Sequence, residues 1–162
     1  MNDKLPNNTG KLLIYQNEKG DTKIDVYFVD GDIWMTQKAL TELYQVSKSS
    51  ISEHIKNIFD DGELTESETT VRKFRTVQME GERKVEREFL HYNFQMILAI
   101  GYRVRSRVGI HFRNWATSVL TKYTKKGFAL NDDRLKNPKQ FGADYFDELL
   151  ERIRDIRSSE NE

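Results

Sequence analysis

The chain has 162 residues, no cysteine, two prolines, and 26 basic side chains against 26 acidic ones. That length fits one domain with an appended segment, and Leu, Ile, Val and Phe make up about a quarter of it, above the range of disordered chains. The missing cysteine excludes disulfide frameworks, thiolate metal sites and cysteine nucleophiles. The longest apolar run, Met96-Ile97-Leu98-Ala99-Ile100, is far too short for a membrane span, and the polar first ten residues carry no signal-peptide core, so a soluble cytoplasmic protein is expected.

Residues 1–10 read as a disordered leader. Strand-like runs at 12–15 and 24–29 flank the turn cluster Asn17-Glu18-Lys19-Gly20-Asp21, which predicts a hairpin. Asp30-Gly31-Asp32 is a second turn, before Ile33-Trp34-Met35. Thr36 is placed to cap a helix with the stripe Ala39, Leu40, Leu43 and Tyr44, and Ile51, Ile55, Ile58 and Phe59 give a second stripe. An acidic loop covers 60–70, and a second hairpin covers 71–92 with its turn at Glu80-Gly81-Glu82. A short buried helix is predicted over 93–102. The strongest periodicity follows: Val108, Phe112, Trp115, Ala116, Val119, Leu120 and Tyr123 share one helical face, and Gly127 is a natural stop. Trp34, Trp115, Phe112 and Tyr123 are read as packing residues. Residues 129–143 are polar and read as a linker, after which Asp144 caps an amphipathic helix over 144–157.

Two features point to chemistry. The first is the pair of short helices joined by Gln45-Val46-Ser47, with Val46 plugging the space between them, which is the spacing of a helix-turn-helix. Its second helix would present Lys48, Ser49, Ser50, Ser52 and Lys56 to a DNA groove, where hydroxyls reach base edges or phosphates and lysines attract the backbone. Ser47 or Ser50 caps that helix, and Gln37 starts the first helix, where a phosphate contact is expected. The alternative is a helical hairpin whose serines and lysines face solvent.

The second feature is charge segregation. Residues 101–126 hold Arg103, Arg105, Arg107, Arg113, Lys122, Lys125 and Lys126 and no acid, whereas 144–162 hold seven acids and three arginines. Arg107 and Lys125 lie five helical turns apart on one azimuth and with Arg103 and Arg105 could track phosphates; Arg103, Arg105, Arg107 and Arg113 are expected to hold the DNA backbone. Equally, the lysines complement the helix dipole, and Arg103 and Arg105 could pair with the acidic loop. The second hairpin, with Arg72, Lys73, Arg75, Arg83, Lys84 and Arg87, is diluted by four glutamates and reads as a solvated ribbon sooner than as a wing.

An enzyme reading finds little: His54, His91 and His111 stand at no ligand spacing, and no phosphate-loop, dinucleotide or nucleophile-elbow motif occurs. Asp60, Asp61 and Glu63 are the one cation candidate, and an acidic surface loop explains them as well. No catalysis, cofactor or metal is expected.

The run Ile33-Trp34-Met35-Thr36-Gln37, then Ser52-Glu53-His54-Ile55-Lys56-Asn57-Ile58-Phe59, Gly62-Glu63-Leu64, His91-Tyr92-Asn93, Gly101-Tyr102-Arg103-Val104 and Phe112-Arg113-Asn114-Trp115-Ala116, resembles the virulence RhuM family. The ordered series, over roughly 11–137, is more specific than any single motif, and the Trp-Ala helix is distantly similar to the N-terminal domain of BRO-type phage antirepressors. The resemblance implies a bacterial DNA-binding protein of mobile or pathogenicity-associated DNA and supplies no catalytic residues.

The expectation is therefore α+β: a winged helix-turn-helix-like domain at 11–128, a linker, and a C-terminal helix. Its expected role is that of a transcriptional or prophage-type regulator binding double-stranded DNA. Homodimerisation is expected through Tyr145, Leu149, Ile153 and Ile156. The alternative is a protein-interaction module with no nucleic-acid role.

Overall fold

The structure, a computed structural model, describes residues 9–12, 24–136 and 145–160. Five strands form one antiparallel sheet in the order β1-β2-β3-β5-β4: β1 Thr9–Leu12, β2 Ile24–Val29, β3 Asp32–Thr36, β4 Val71–Glu80 and β5 Arg83–Asn93. Two of the turns are dictated locally. Asp30 and Gly31 both take positive φ, 52° and 74°, which suits the two-residue connection between paired Val29 and Asp32. Gly81, at φ 63°, opens the other two-residue loop, between paired Glu80 and Arg83.

Alternation along the strands divides the sheet into two chemically different faces. Val26, Met35 and Tyr92 lie on the face under the helices and join the main core. On the other face Trp34, Phe74, His91 and Tyr27 meet edge to face, with centroids 5.7 Å apart for Trp34–Phe74, 5.2 Å for Phe74–His91 and 5.4 Å for Tyr27–His91. The Arg72 guanidinium sits 5.2 Å over the Trp34 ring and pairs with Asp30 at 2.7 Å. His91 is fully buried; its Nδ1 lies 2.8 Å from the Phe89 carbonyl, and its Nε2 has no hydrogen-bond partner.

Each core helix starts at a polar cap. Thr36 Oγ1 accepts from Ala39 N at 3.1 Å before α1, Gln37–Tyr44. Ser47 Oγ accepts from Ser50 N at 3.2 Å before α2, Lys48–Asp60, so of the two candidate serines Ser47 is the cap. Asn93 Oδ1 accepts from Met96 N at 3.0 Å before α3, Phe94–Arg103, and Ser106 Oγ from Gly109 N at 3.1 Å at the start of α4, Arg107–Lys126. Tyr44 ties three of these helices together. Its hydroxyl donates to the Ile97 carbonyl of α3 at 2.5 Å, its own carbonyl accepts from Ser106 Oγ at 2.7 Å, and its ring stands edge-on to Phe112 of α4. That crossing needs glycine: a Cβ on Gly101 would lie 2.5 Å from the Phe112 ring and 2.7 Å from the Tyr44 hydroxyl.

The chain divides into two compact units, one ending at Thr121 and the other beginning at Lys122, with α4 running across the division. The second unit also contains α5, Asp132–Lys136, and α6, Phe146–Ser159. Several expectations need correction. Thr9 and Gly10 belong to β1, although they fell within the stretch read as leader. The expected strand residues 13–15, the turn at 17–21 and the cap Asp144 lie outside the described residues. The stretch read as linker contains α5, nucleated where Arg134 N donates to Asn131 Oδ1 at 3.1 Å. The face of α4 read as core is covered only as far as Ala116. Trp115, Leu120 and Tyr123 are 38, 58 and 64% exposed.

Two stability predictions follow from this geometry. Gly101→Ala should cost about 1–3 kcal/mol by overpacking. Gln45, which holds φ 52°, ψ 48° at the end of α1, should gain roughly 0.5–1 kcal/mol on replacement by glycine, since only glycine adopts the left-handed region without a Cβ penalty. Urea midpoints of the two variants should move in opposite directions; a Gly101→Ala protein as stable as the parent would refute the crossing.

Burial holds the His91 imidazole below its ordinary value, against a smaller opposing effect of the Phe89 carbonyl. The unfolded chain then binds a proton that the folded one refuses, so stability is full above about pH 6.5 and falls as pH drops further, by at most about 1.4 kcal/mol per pH unit. Urea midpoints at pH 7.5 and 5.5 should show a smaller acid loss in His91→Leu than in the parent; an unchanged loss would assign it elsewhere.

Candidate nucleic-acid interface

Helices α1 and α2 are joined by Gln45-Val46-Ser47, with Val46 half-buried against the core between them. Ile51, Ile55 and Ile58 point α2 inward, which leaves Lys48, Ser49, Ser52 and Lys56 exposed. Helical geometry gathers Lys48, Ser52 and Lys56, spaced at i, i+4 and i+8, with Ser49 beside them. Ser50 falls on the opposite flank, with His54, so the five residues do not form one row.

Gln37 does not wait for a phosphate. Its side-chain amide donates to the Lys48 carbonyl at 3.1 Å and to the Ser52 hydroxyl, which fastens the start of α1 to the first turns of α2. It therefore positions α2, and it fixes the rotamer of a serine expected to face a ligand.

The two flanks of α2 differ in charge. On one, an open cleft of about 880 Å³ separates α2 from β4; Ser52, Lys56, Phe59 and Asp60 line one wall and Val71, Arg72, Lys73 and Phe74 the other. Asp30, Glu66 and Glu68 also line it, so cations and carboxylates are mixed there. Burial, and behind it the Glu66 charge, holds the Tyr92 phenol in this cleft above its ordinary value. On the other flank the His54 imidazole is held below its ordinary value, chiefly by burial, with Glu53 opposing and Arg103 and Arg105 adding to the fall.

The basic block is thus only partly available. Arg103 is engaged: it bonds Glu63 at 2.8 Å and Asp61 at 3.2 Å, and these partners raise its already high value. The same bonds occupy two of the three acids considered for a cation, and among the described residues no cluster of potential ligands stands ready for a metal. Arg113 donates to the Val104 carbonyl at 2.6 Å, closing the α3–α4 corner. Arg105 and Arg107 are exposed, as are Lys122, Lys125 and Lys126. In the hairpin, Arg75 pairs with Glu88 at 3.0 Å and Arg87 with Glu80. Of the expected dimerisation residues, Tyr145, Ile153 and Ile156 are exposed and Leu149 is half-buried; they lie at the start and along one side of α6.

Sequence reasoning missed the Asp30–Arg72–Trp34 arrangement, because the three residues come from separate strands and turns. The aromatic at 34 and the cation at 72 carried the signal only once β3, β5 and β4 were known to be neighbours.

Residues 69–162, more than half of the chain, match the virulence protein RhuM family. No curated protein and no solved structure matches the chain. Among the described residues no helix is long and apolar enough to cross a membrane.

Proposed function

The chain belongs to the virulence protein RhuM family, and on that footing we propose that it binds double-stranded DNA through α2, as a transcriptional or prophage-type regulator. The observation that carries this reading is the exposed row Lys48, Ser49, Ser52 and Lys56 on the second of two capped helices joined by a three-residue turn. The neighbour order β3-β5-β4 around α1 and α2 supports a winged helix-turn-helix reading, since that fold brackets its helix pair with the same three strands.

The charges refine the pose. Asp60, Glu66 and Glu68 on the cleft side repel phosphate, so the hairpin is a poor wing for backbone contact. The phosphates would meet Lys48 and Lys56 on the exposed row, with exposed Arg105 and Arg107 as further backbone contacts. Arg103 and Arg113 hold the scaffold that presents them, and Gln37 sets the first turn of α2.

Lys48, Lys56, Arg105 and Arg107 make four phosphate neutralisations, for which log affinity should fall with log salt at a slope of about −3 to −4. Fluorescence anisotropy of a mixed-sequence duplex measures it. Arg105→Glu and Lys56→Glu should each weaken binding and reduce the slope by about one. Glu68→Gln on the cleft side should leave the affinity unchanged or raise it. A protein with no affinity at low salt, or with affinity indifferent to Arg105 and Lys56, would end this reading. The interaction-module reading would then take its place, supported by the uncovered faces of α4 and α6.

A further inference from the structure

We propose that Gln37 locks the Ser52 hydroxyl as a hydrogen-bond donor, so that Ser52 selects an acceptor on the base it meets and disfavours cytosine. This role rests on the proposed reading of α2 as a DNA-recognition helix, and it names what one position of the exposed row selects.

A serine hydroxyl ordinarily discriminates little, because it both donates and accepts and rotates to suit its partner. Ser52 differs because its neighbour faces it in only one way. The side-chain nitrogen of Gln37 lies 3.1 Å from the Lys48 carbonyl and also bonds the Ser52 oxygen. A carbonyl accepts and cannot donate, so Lys48 decides which end of the Gln37 amide points towards α2. One N–H of the amide serves Lys48 and the other serves Ser52; turning the amide over would set its oxygen against the Lys48 carbonyl. Ser52 therefore accepts from Gln37 and keeps its own proton to offer.

Among the described residues that proton meets no acceptor. Ser52 is exposed on the row with Lys48 and Lys56, while Ile51 and Ile55 turn inward. In the major groove a donor so placed matches guanine N7 and O6, adenine N7 and thymine O4, whereas cytosine presents its N4 amino group, a second donor. To accept from that amino group, Ser52 would have to use its remaining lone pair and leave its proton without a partner in a desolvated interface. Ser49 has no such lock. Its hydroxyl lies 3.1 Å from that of Ser47 and either oxygen can donate, so Ser49 is free to present a proton or a lone pair. Discrimination is thereby assigned to Ser52, with Gln37 as its positioning residue.

The test is selection from a randomised duplex library, with sequencing of the bound fraction, using the full chain and its Gln37→Leu, Ser52→Ala and Ser52→Thr variants. The parent should show one position at which cytosine is depleted about fivefold or more against the other bases. Gln37→Leu and Ser52→Ala should each abolish that depletion, and Ser52→Thr, which keeps the hydroxyl, should retain it. Thermal unfolding and affinity for a mixed-sequence duplex are measured alongside. A merely structural tie between α1 and α2 would lower these and leave the base preference intact, so a Gln37→Leu protein that binds every sequence more weakly yet still depletes cytosine overturns the proposal. A Ser52→Ala protein that keeps the depletion overturns it as well. A parent that binds DNA with no cytosine-depleted position ends this role of Ser52 and leaves the DNA-binding reading standing. A parent that binds no duplex at low salt ends both.

Discussion

The hydrogen bond from the Tyr44 hydroxyl to the Ile97 carbonyl fixes the end of α1 against α3. A buried hydroxyl left without a partner costs about 1–3 kcal/mol, so the last residue of α1 has one placement against α3. The Tyr44 carbonyl then receives Ser106, which begins α4, and its ring receives Phe112 from the same helix. Because α2 follows after only three residues, the direction of its exposed row is set by a contact on its far side. Gly101 belongs to this constraint, since the ring and the hydroxyl occupy the volume its Cβ would need.

Neutrality of the whole chain hides a division of labour among its cations. Arg72, Arg75, Arg87 and Arg103 hold carboxylates, and Arg113 holds a carbonyl. Exposed ion pairs of this kind contribute little stability one by one. Their effect lies in geometry: Arg103 clamps the loop after α2 to the end of α3, and Arg72 binds the β2–β3 turn to β4.

Much of the fold was legible because its signals are local. Thr36, the Asp30-Gly31 turn, the two isoleucine and leucine stripes, and Gly81 each act within a few residues of themselves, and the elements they predict are present. The resemblance to the RhuM family was legible from the order of short motifs, and the match over residues 69–162 establishes it. What sequence could not supply was partnership. Periodicity placed Trp115, Val119, Leu120 and Tyr123 on one face, but the reading of Trp115 and Tyr123 as packing residues was wrong, because periodicity reports which residues share an azimuth and is silent on what covers them. Gln37 was placed correctly at the start of α1, but its amide reaches Lys48 and Ser52, eleven and fifteen residues away, and no local rule anticipates that.

The exposed half of α4 also explains why it can exist as a helix without a partner. Isolated helices of about ten residues are marginal because nucleation is costly, but α4 is nucleated in the core around Phe112 and Ala116 and has only to propagate. Lys125 and Lys126 favour its C-terminal dipole, and Gly127, at φ 79°, ends it with its N–H on the Tyr123 carbonyl at 2.9 Å. Helix α6 lacks these supports: it buries no residue and has no side-chain cap at Tyr145, and its first-turn acids and the Glu148–Arg152 pair are its local stabilisers.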